Sequence, residues 1–189
     1  MSDPLDDKLA RALALSIAQQ PRASLQQLAR AAGISKATLY RISPTRGGVI
    51  ELLMTRAIQH LQDALARADL HTPPYPDALQ RLTDVVVQGR EYYVVFWNHA
   101  EWVRMIDART ETADLPLPSF YGQTLETFFL NGQKAGAFRI DVPALWLVRA
   151  YDYLLYAAMD AVQRGEIAPL GMGAMVQKLF LEGATDVRG

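Results

Sequence analysis

The sequence predicts an all-α fold in two parts, a small unit over residues 1–70 and a larger helical unit over 77–189. Three observations carry that expectation. Apolar residues recur every three or four positions along most of the chain, the spacing of a helix face. Positive charge collects near one end: from Lys8 to Ile50 the charged residues are Lys8, Arg11, Arg22, Arg30, Lys36, Arg41 and Arg46, with no acid among them. Residues 71–76 hold three prolines in six positions, the clearest break in the sequence.

The elements follow in order. Leu5, Leu9, Ala12, Leu13 and Ile17 share a helical face that stops before Pro21. Ser24, with Gln27 three residues on, has capping-box spacing and opens a short second helix that Gly33 interrupts. Ser35 caps a third short helix, which ends before Pro44 because proline disfavours helical geometry in the residue preceding it. Thr45 caps a long fourth helix with Val49, Leu52, Leu53, Ala57, Leu61 and Leu65 on one face. Beyond the prolines one helix is expected over 77–109. Val85, Val86 and Val87 and the run 92–97 have strand-like composition, but strands that long are rare and Gly89 is the strongest turn signal. Helices over 119–134, 143–164 and 169–182 complete the chain, with Pro143 acceptable at a first helical position.

Composition removes several function classes. The 189 residues contain no cysteine, which excludes disulfide scaffolds, cysteine nucleophiles, iron–sulfur clusters and cysteine-ligated zinc. His60, His71 and His99 are far apart, so no metal site is expected. His99-Ala100-Glu101 has the His-x-Glu of zinc deaminases without their cysteines. Phosphate loops, nucleophile elbows and His-Glu-x-x-His are missing, so neither an enzyme nor a cofactor is expected. No apolar run approaches the roughly 18 residues of a membrane span. The acidic start Asp3, Asp6, Asp7 lacks the basic opening of a secretory signal, and a cytoplasmic protein without a membrane partner is the expectation.

Charge then points toward a polyanion. The net charge of the whole chain is −1, yet the first seventy residues carry nine basic and six acidic side chains and the remainder ten and fourteen. Inside the basic unit, two short helices meet at a glycine turn, a helix-turn-helix. Leu25 and Leu28 face inward, Ala29 and Ala32 are small where the helices approach, Gly33 gives the turn its freedom, and Ile34 anchors the pair. The second helix can then lie in a DNA major groove, with Lys36, Ala37, Thr38 and Tyr40 outward.

Residues 24–40 resemble the DNA-binding signature of the tetracycline-repressor (TetR) family of bacterial transcriptional regulators. Ala32-Gly33-Ile34-Ser35, two variable positions and Leu39-Tyr40 match its pattern, with Ile34 for valine. The resemblance covers about residues 8–55; the rest agrees only in length and helical layout. Three positions depart: Ser43 where the family usually has phenylalanine, Arg46 where it has lysine, and Gly47 and Gly48 where acids commonly follow. The resemblance implies a dimeric, repressor-type regulator of a double-stranded operator, with a C-terminal unit that dimerises and binds a small effector. It implies that Ser24 and Arg46 meet phosphates. Ser35, Lys36, Thr38 and Tyr40 would face groove and backbone, Ala37 would meet a thymine methyl, and Arg41 and Arg22 would lie near phosphates.

Aromatic residues concentrate after residue 76, where Asn98, His99, Glu101 and Asp152 lie among them. Aromatic walls with a few polar groups suit a buried small-molecule pocket as well as a plain core. Tyr92, Phe96, His99, Trp102, Phe120, Tyr121 and Tyr151 are the candidates, and a cationic or a neutral aromatic ligand is compatible with them. The last two helices carry two apolar stripes, one with Leu147, Leu154, Ala158 and Val162, the other with Met172, Met175, Val176 and Leu179. They can pair with the same helices of a second chain to form a four-helix interface, or fill a monomer core. The competing reading of the whole chain is a helical protein-interaction domain without a specific DNA site.

Overall fold

The computed structural model describes residues 5–99 and 117–185. All secondary structure among these is helical: α1 (Asp7–Gln19), α2 (Leu25–Ala31), α3 (Lys36–Ile42), α4 (Arg46–Ala68), α5 (Tyr75–Gln88), α6 (Arg90–Asn98), α7 (Ser119–Lys134), α8 (Ala144–Gln163) and α9 (Met172–Ala184). The first three helices and the start of α4 form an N-terminal head. Helices α5 to α9 form the body, and α4 runs from one to the other against α5 and α6.

Side-chain caps fix the head. Asp6 accepts the Leu9 amide at 2.8 Å to open α1. Ser24 and Gln27 exchange both bonds of a capping box at α2, Ser35 accepts the Thr38 amide at α3, and Thr45 accepts the Gly48 amide at α4. Each cap satisfies an amide that the helix leaves without a partner. Ala10, Leu13, Ala14 and Ile17 of α1 are buried, together with Leu28 and Ala29 of α2 and Leu39 of α3.

The break after α4 falls in the proline-rich stretch, but α5 begins at Tyr75, slightly earlier than expected. The single helix expected over 77–109 is divided at Gly89 into α5 and α6. A Cβ at Gly89 would stand 2.2 Å from His60 Nε2, so the His60 ring of α4 occupies the space a side chain would need. The valine run and residues 92–97 are helical on either side of that break. Residues 100–109 of the expected helix lie outside the described residues. At the far end of the body, α7 ends at Lys134 and Gly136 follows with φ +72°; the neighbouring Gly132 lets the Phe138 ring fold back onto the helix. No described helix is long and apolar enough to cross a membrane.

Candidate functional site

The turn between α2 and α3 is closed by Gly33 at φ +71°, in the left-handed region where a side chain would be strained. Leu39 is fully buried on the inner face of α3 and Ile34 is half-buried before it. That anchoring leaves Ser35, Lys36, Ala37, Tyr40 and Arg41 exposed, with Thr38 half-buried. The exposed groups are partly pre-set. Ser35 Oγ and Thr38 Oγ1 share a 2.8 Å hydrogen bond, and Lys36 Nζ sits 5.2 Å from the centre of the Tyr40 ring. Ser24 is exposed at the start of α2, where its hydroxyl oxygen accepts the Gln27 amide at 3.3 Å.

Arg46 has an occupation that its sequence position did not disclose. Its guanidinium donates to the Ala23 carbonyl at 3.2 Å and to the Pro21 carbonyl, tying α4 to the turn between α1 and α2. A fork held on two carbonyls has fewer donors left for a phosphate than a free one. The departures at 43 and 48 are also one feature. Ser43 is buried and its hydroxyl donates to the Thr45 carbonyl at 3.0 Å, while a Cβ at Gly48 would meet Ser43 Oγ at 2.3 Å. Ser43, Thr45 and Gly48 therefore form a compact polar clasp between α3 and α4.

Tyr92, expected among the effector residues, lies at the joint between head and body. Its hydroxyl donates to Asp7 Oδ1 at 3.1 Å, and the Arg11 guanidinium lies 5.4 Å from its ring centre. Arg11 also pairs with Asp7 at 2.7 Å, reaches Glu91 at 3.5 Å and donates to the Gln88 carbonyl. The Arg11 hydrogen bond holds the Asp7 carboxyl below its ordinary value, whereas burial, followed by the Asp7 charge, pushes the Tyr92 hydroxyl up to about 12. His60 borders the same joint, and burial pushes its imidazole down. Register sets this position: Tyr92 sits in the first turn of α6, which packs on α1.

Tyr121 and Tyr151 lie in the body's interior and are fully buried; Phe96 is too, and His99 nearly so, with Nδ1 3.2 Å from the Val95 carbonyl. Phe120 is half-buried beside Tyr121, and Trp102 lies outside the described residues. Asp152, noted in the sequence among the aromatic residues, joins this cluster together with Tyr93. Asp152 is fully buried, and its Oδ1 accepts from the Tyr93 hydroxyl at 2.8 Å. The Tyr121 hydroxyl is its second hydrogen-bonding neighbour, in a looser geometry than that of Tyr93. Nearby, the Tyr151 and Thr83 hydroxyls share a 2.9 Å bond. Burial, only partly offset by the Tyr93 and Tyr121 hydroxyls, pushes the Asp152 carboxyl up to about 8. The signal was present in the sequence: Val148, Asp152, Leu155 and Met159 recur at helical spacing, with an acid at a core position.

On α8 and α9, Leu147, Ala158, Met172 and Val176 are buried against the chain's own helices. The apolar face left open is a neighbouring one. It runs through Trp146 at 60% exposure, Tyr153 at 49% and Ala157 on α8, and Met175 and Leu179 on α9, with Leu154 and Val162 half-buried along its edge. Trp97 reaches this face from α6, stacked on Tyr156 at 4.3 Å and edge-on to Tyr153 at 5.0 Å.

Comparison with known proteins places these features. No family model matches the chain. It is 34% identical over 183 residues to the HTH-type transcriptional regulator NfxB of Pseudomonas aeruginosa, covering 96% of this chain and 95% of that one. Among solved structures it resembles the TetR-like regulator LfrR of Mycobacterium smegmatis, crystallised in complex with proflavine. The TM-score is 0.65 and the identity 20%, over 95% of this chain and 96% of that one. The TetR family regulator PfmR of Thermus thermophilus is similar with a TM-score of 0.64 at 19% identity, over 97% of each chain. At these identities the structural likeness is one of fold.

Proposed function

We propose that this chain, which belongs with NfxB to the HTH-type transcriptional regulators and has the TetR fold, is a repressor-type regulator that binds a pseudo-palindromic operator as a homodimer and responds to a small aromatic or lipophilic effector. The observation that carries the reading is the α3 surface. Leu39 seats the helix, the Ser35 cap fixes its start, and Lys36, Ala37, Tyr40 and Arg41 stand together on the side away from the core. A helix so held can present its first turn to base edges while neighbouring cations meet phosphates. The open face of Trp146, Tyr153, Met175 and Leu179 supports a twofold partner, because large apolar side chains clustered on one face favour burial. The aromatic interior around Tyr121, Tyr151 and Phe96 supports an effector site, as does the proflavine held by the LfrR structure.

Band-shift titration on DNA adjoining the chain's own gene tests this reading. Lys36→Ala and Tyr40→Ala are each expected to weaken specific binding by about 1–3 kcal/mol, with the dimer unchanged by size-exclusion chromatography. Binding that competitor DNA abolishes equally for all three proteins would show that α3 reads no sequence.

A further inference from the structure

We propose that His60 is a pH-sensitive latch between head and body: its neutral ring locks α4 into the α5–α6 break, and protonation in mild acid frees the head and weakens operator binding. The operator half of this rests on the regulatory reading above. Helix α5 ends at Gln88 and α6 begins at Arg90, so the last carbonyls of α5 need partners from elsewhere. The Gly89 amide donates to the Val86 carbonyl at 3.1 Å, and Arg11 of α1 donates to that of Gln88. His60 of α4 lies within hydrogen-bonding reach of the Val85 and Val86 carbonyls. Its Nε2, Cδ2 and Cε1 all fall within 2.6 Å of where a Cβ at Gly89 would stand, so the ring is keyed into the break. Arg81 returns the grip from α5, donating to the Ala68 carbonyl at 2.9 Å at the end of α4. Of the three side chains in this interlock, only His60 changes charge near neutrality.

The surroundings favour the neutral ring. Burial pushes the His60 imidazole down, with the Arg11 charge acting the same way, and prevails over the two carbonyls and Asp63, which push it up. Its Nε2 is buried with no hydrogen bond of good geometry, so an N–H created there must move to find one. The charged and titratable groups around the ring line a cleft of about 200 Å³: Asp7 and Arg11 from α1, Arg56, Asp63 and Arg67 from α4, and Tyr92 from α6. The acids on α1 and α6 are already engaged. Asp7 pairs with Arg11 at 2.7 Å, and Glu91 lies 3.5 Å from Arg11 and 3.4 Å from Arg90. Asp63 is exposed and accepts from Gln59 at 3.1 Å. Because the folded ring is the weaker base, the latch is fully closed above the ordinary imidazole value and is progressively lost as pH falls below about 6.5. A displaced ring releases the end of α5 and with it the first turn of α6, which holds α1 through Tyr92 and Glu91. Two heads so loosened lose the fixed spacing that a pair of half-sites requires.

Band shifts with the full chain on DNA adjoining its own gene, run at about pH 7.5 and about pH 5.5 at one ionic strength, test the latch. The parent's affinity is expected to fall at least about fivefold more than that of His60→Gln, whose side chain can still donate to the carbonyls but cannot titrate. Equal falls overturn the proposal. Proton NMR of the parent follows the ring itself, with the exposed His71 as internal reference. His60 should titrate below His71, and a His60 that titrates at or above it overturns the proposal. Hydrogen exchange gives a measure that needs no DNA. The Tyr92 and Tyr93 amides donate to the Gly89 carbonyl at 2.9 and 3.2 Å. Their protection factors should drop at least about fivefold between the two pH values in the parent and hold steady in the variant. Should no pH give a specific band shift, the operator reading fails and these amides decide the latch alone: loss of protection in acid upholds it, and unchanged protection overturns it.

Discussion

The reading head and the body handle polar groups in opposite ways. In the head the caps at Ser24, Ser35 and Thr45 are filled and Arg46 is spread over two carbonyls. Among the described residues, the buried side-chain polar atoms without a hydrogen bond of good geometry are His60 Nε2, Glu91 Oε2 (3.5 Å from Arg11), Trp97 Nε1, Tyr121 Oη and Asp152 Oδ2, all at the joint or in the body. On the function proposed above, the part that presents a surface to DNA has its helix starts fixed by filled caps, while the part that receives an effector keeps several buried polar groups only loosely paired.

The largest effect that would sharpen this contrast concerns Asp152. Its carboxyl is near 4 in the unfolded chain and is raised to about 8 in the fold. Between those values the unfolded chain is ionised while the folded one keeps its proton, so stability falls as pH rises through that window and levels off above it. Asp152→Asn removes the effect. Urea melts should show the variant more stable than the parent by more than about 3 kcal/mol at about pH 8, with the gap narrowing toward about pH 4.5. A gap that does not change with pH would mean that Asp152 is already ionised in the fold.

The joint should respond less. Gly89→Ala drives a methyl into the His60 ring, an overpacking expected to cost about 2 kcal/mol. In a double-mutant cycle with His60→Ala the cost of the added methyl should mostly disappear, since the obstructing ring is gone. Additive costs would place the strain elsewhere in the turn. The smallest effect belongs to the head. Ser35→Ala removes the α3 cap and should destabilise by about 1 kcal/mol, the opposite sign to the polar deletion in the body. If deleting the cap also proved stabilising, the contrast between the two regions would fail.

Local chemistry was the legible part of the sequence. Ser24 with Gln27, Ser35, Thr45 and Gly33 announce their helix ends because a cap or turn is made by residues only a few positions apart. The split at Gly89 was only half legible: the glycine is visible in sequence, but the reason for it is His60, far along the chain. The same limit applies to α8. Periodicity shows that Leu147 and Ala158 share an apolar stripe, but not which stripe the chain itself will cover, and the open one passes through Trp146 and Tyr153. The partners of Tyr92 were illegible for a related reason: nothing in its sequence surroundings reveals that α1 brings Asp7 and Arg11 to it.

The clasp of Ser43, Thr45 and Gly48 couples two positions on either side of the α3–α4 corner. A side chain gained at 48 meets the hydroxyl at 43, and a ring restored at 43 displaces the bond to the Thr45 carbonyl. The angle between α3 and α4 is therefore set by three small residues acting together, and a change at either 43 or 48 reaches the helix that carries Lys36 and Tyr40.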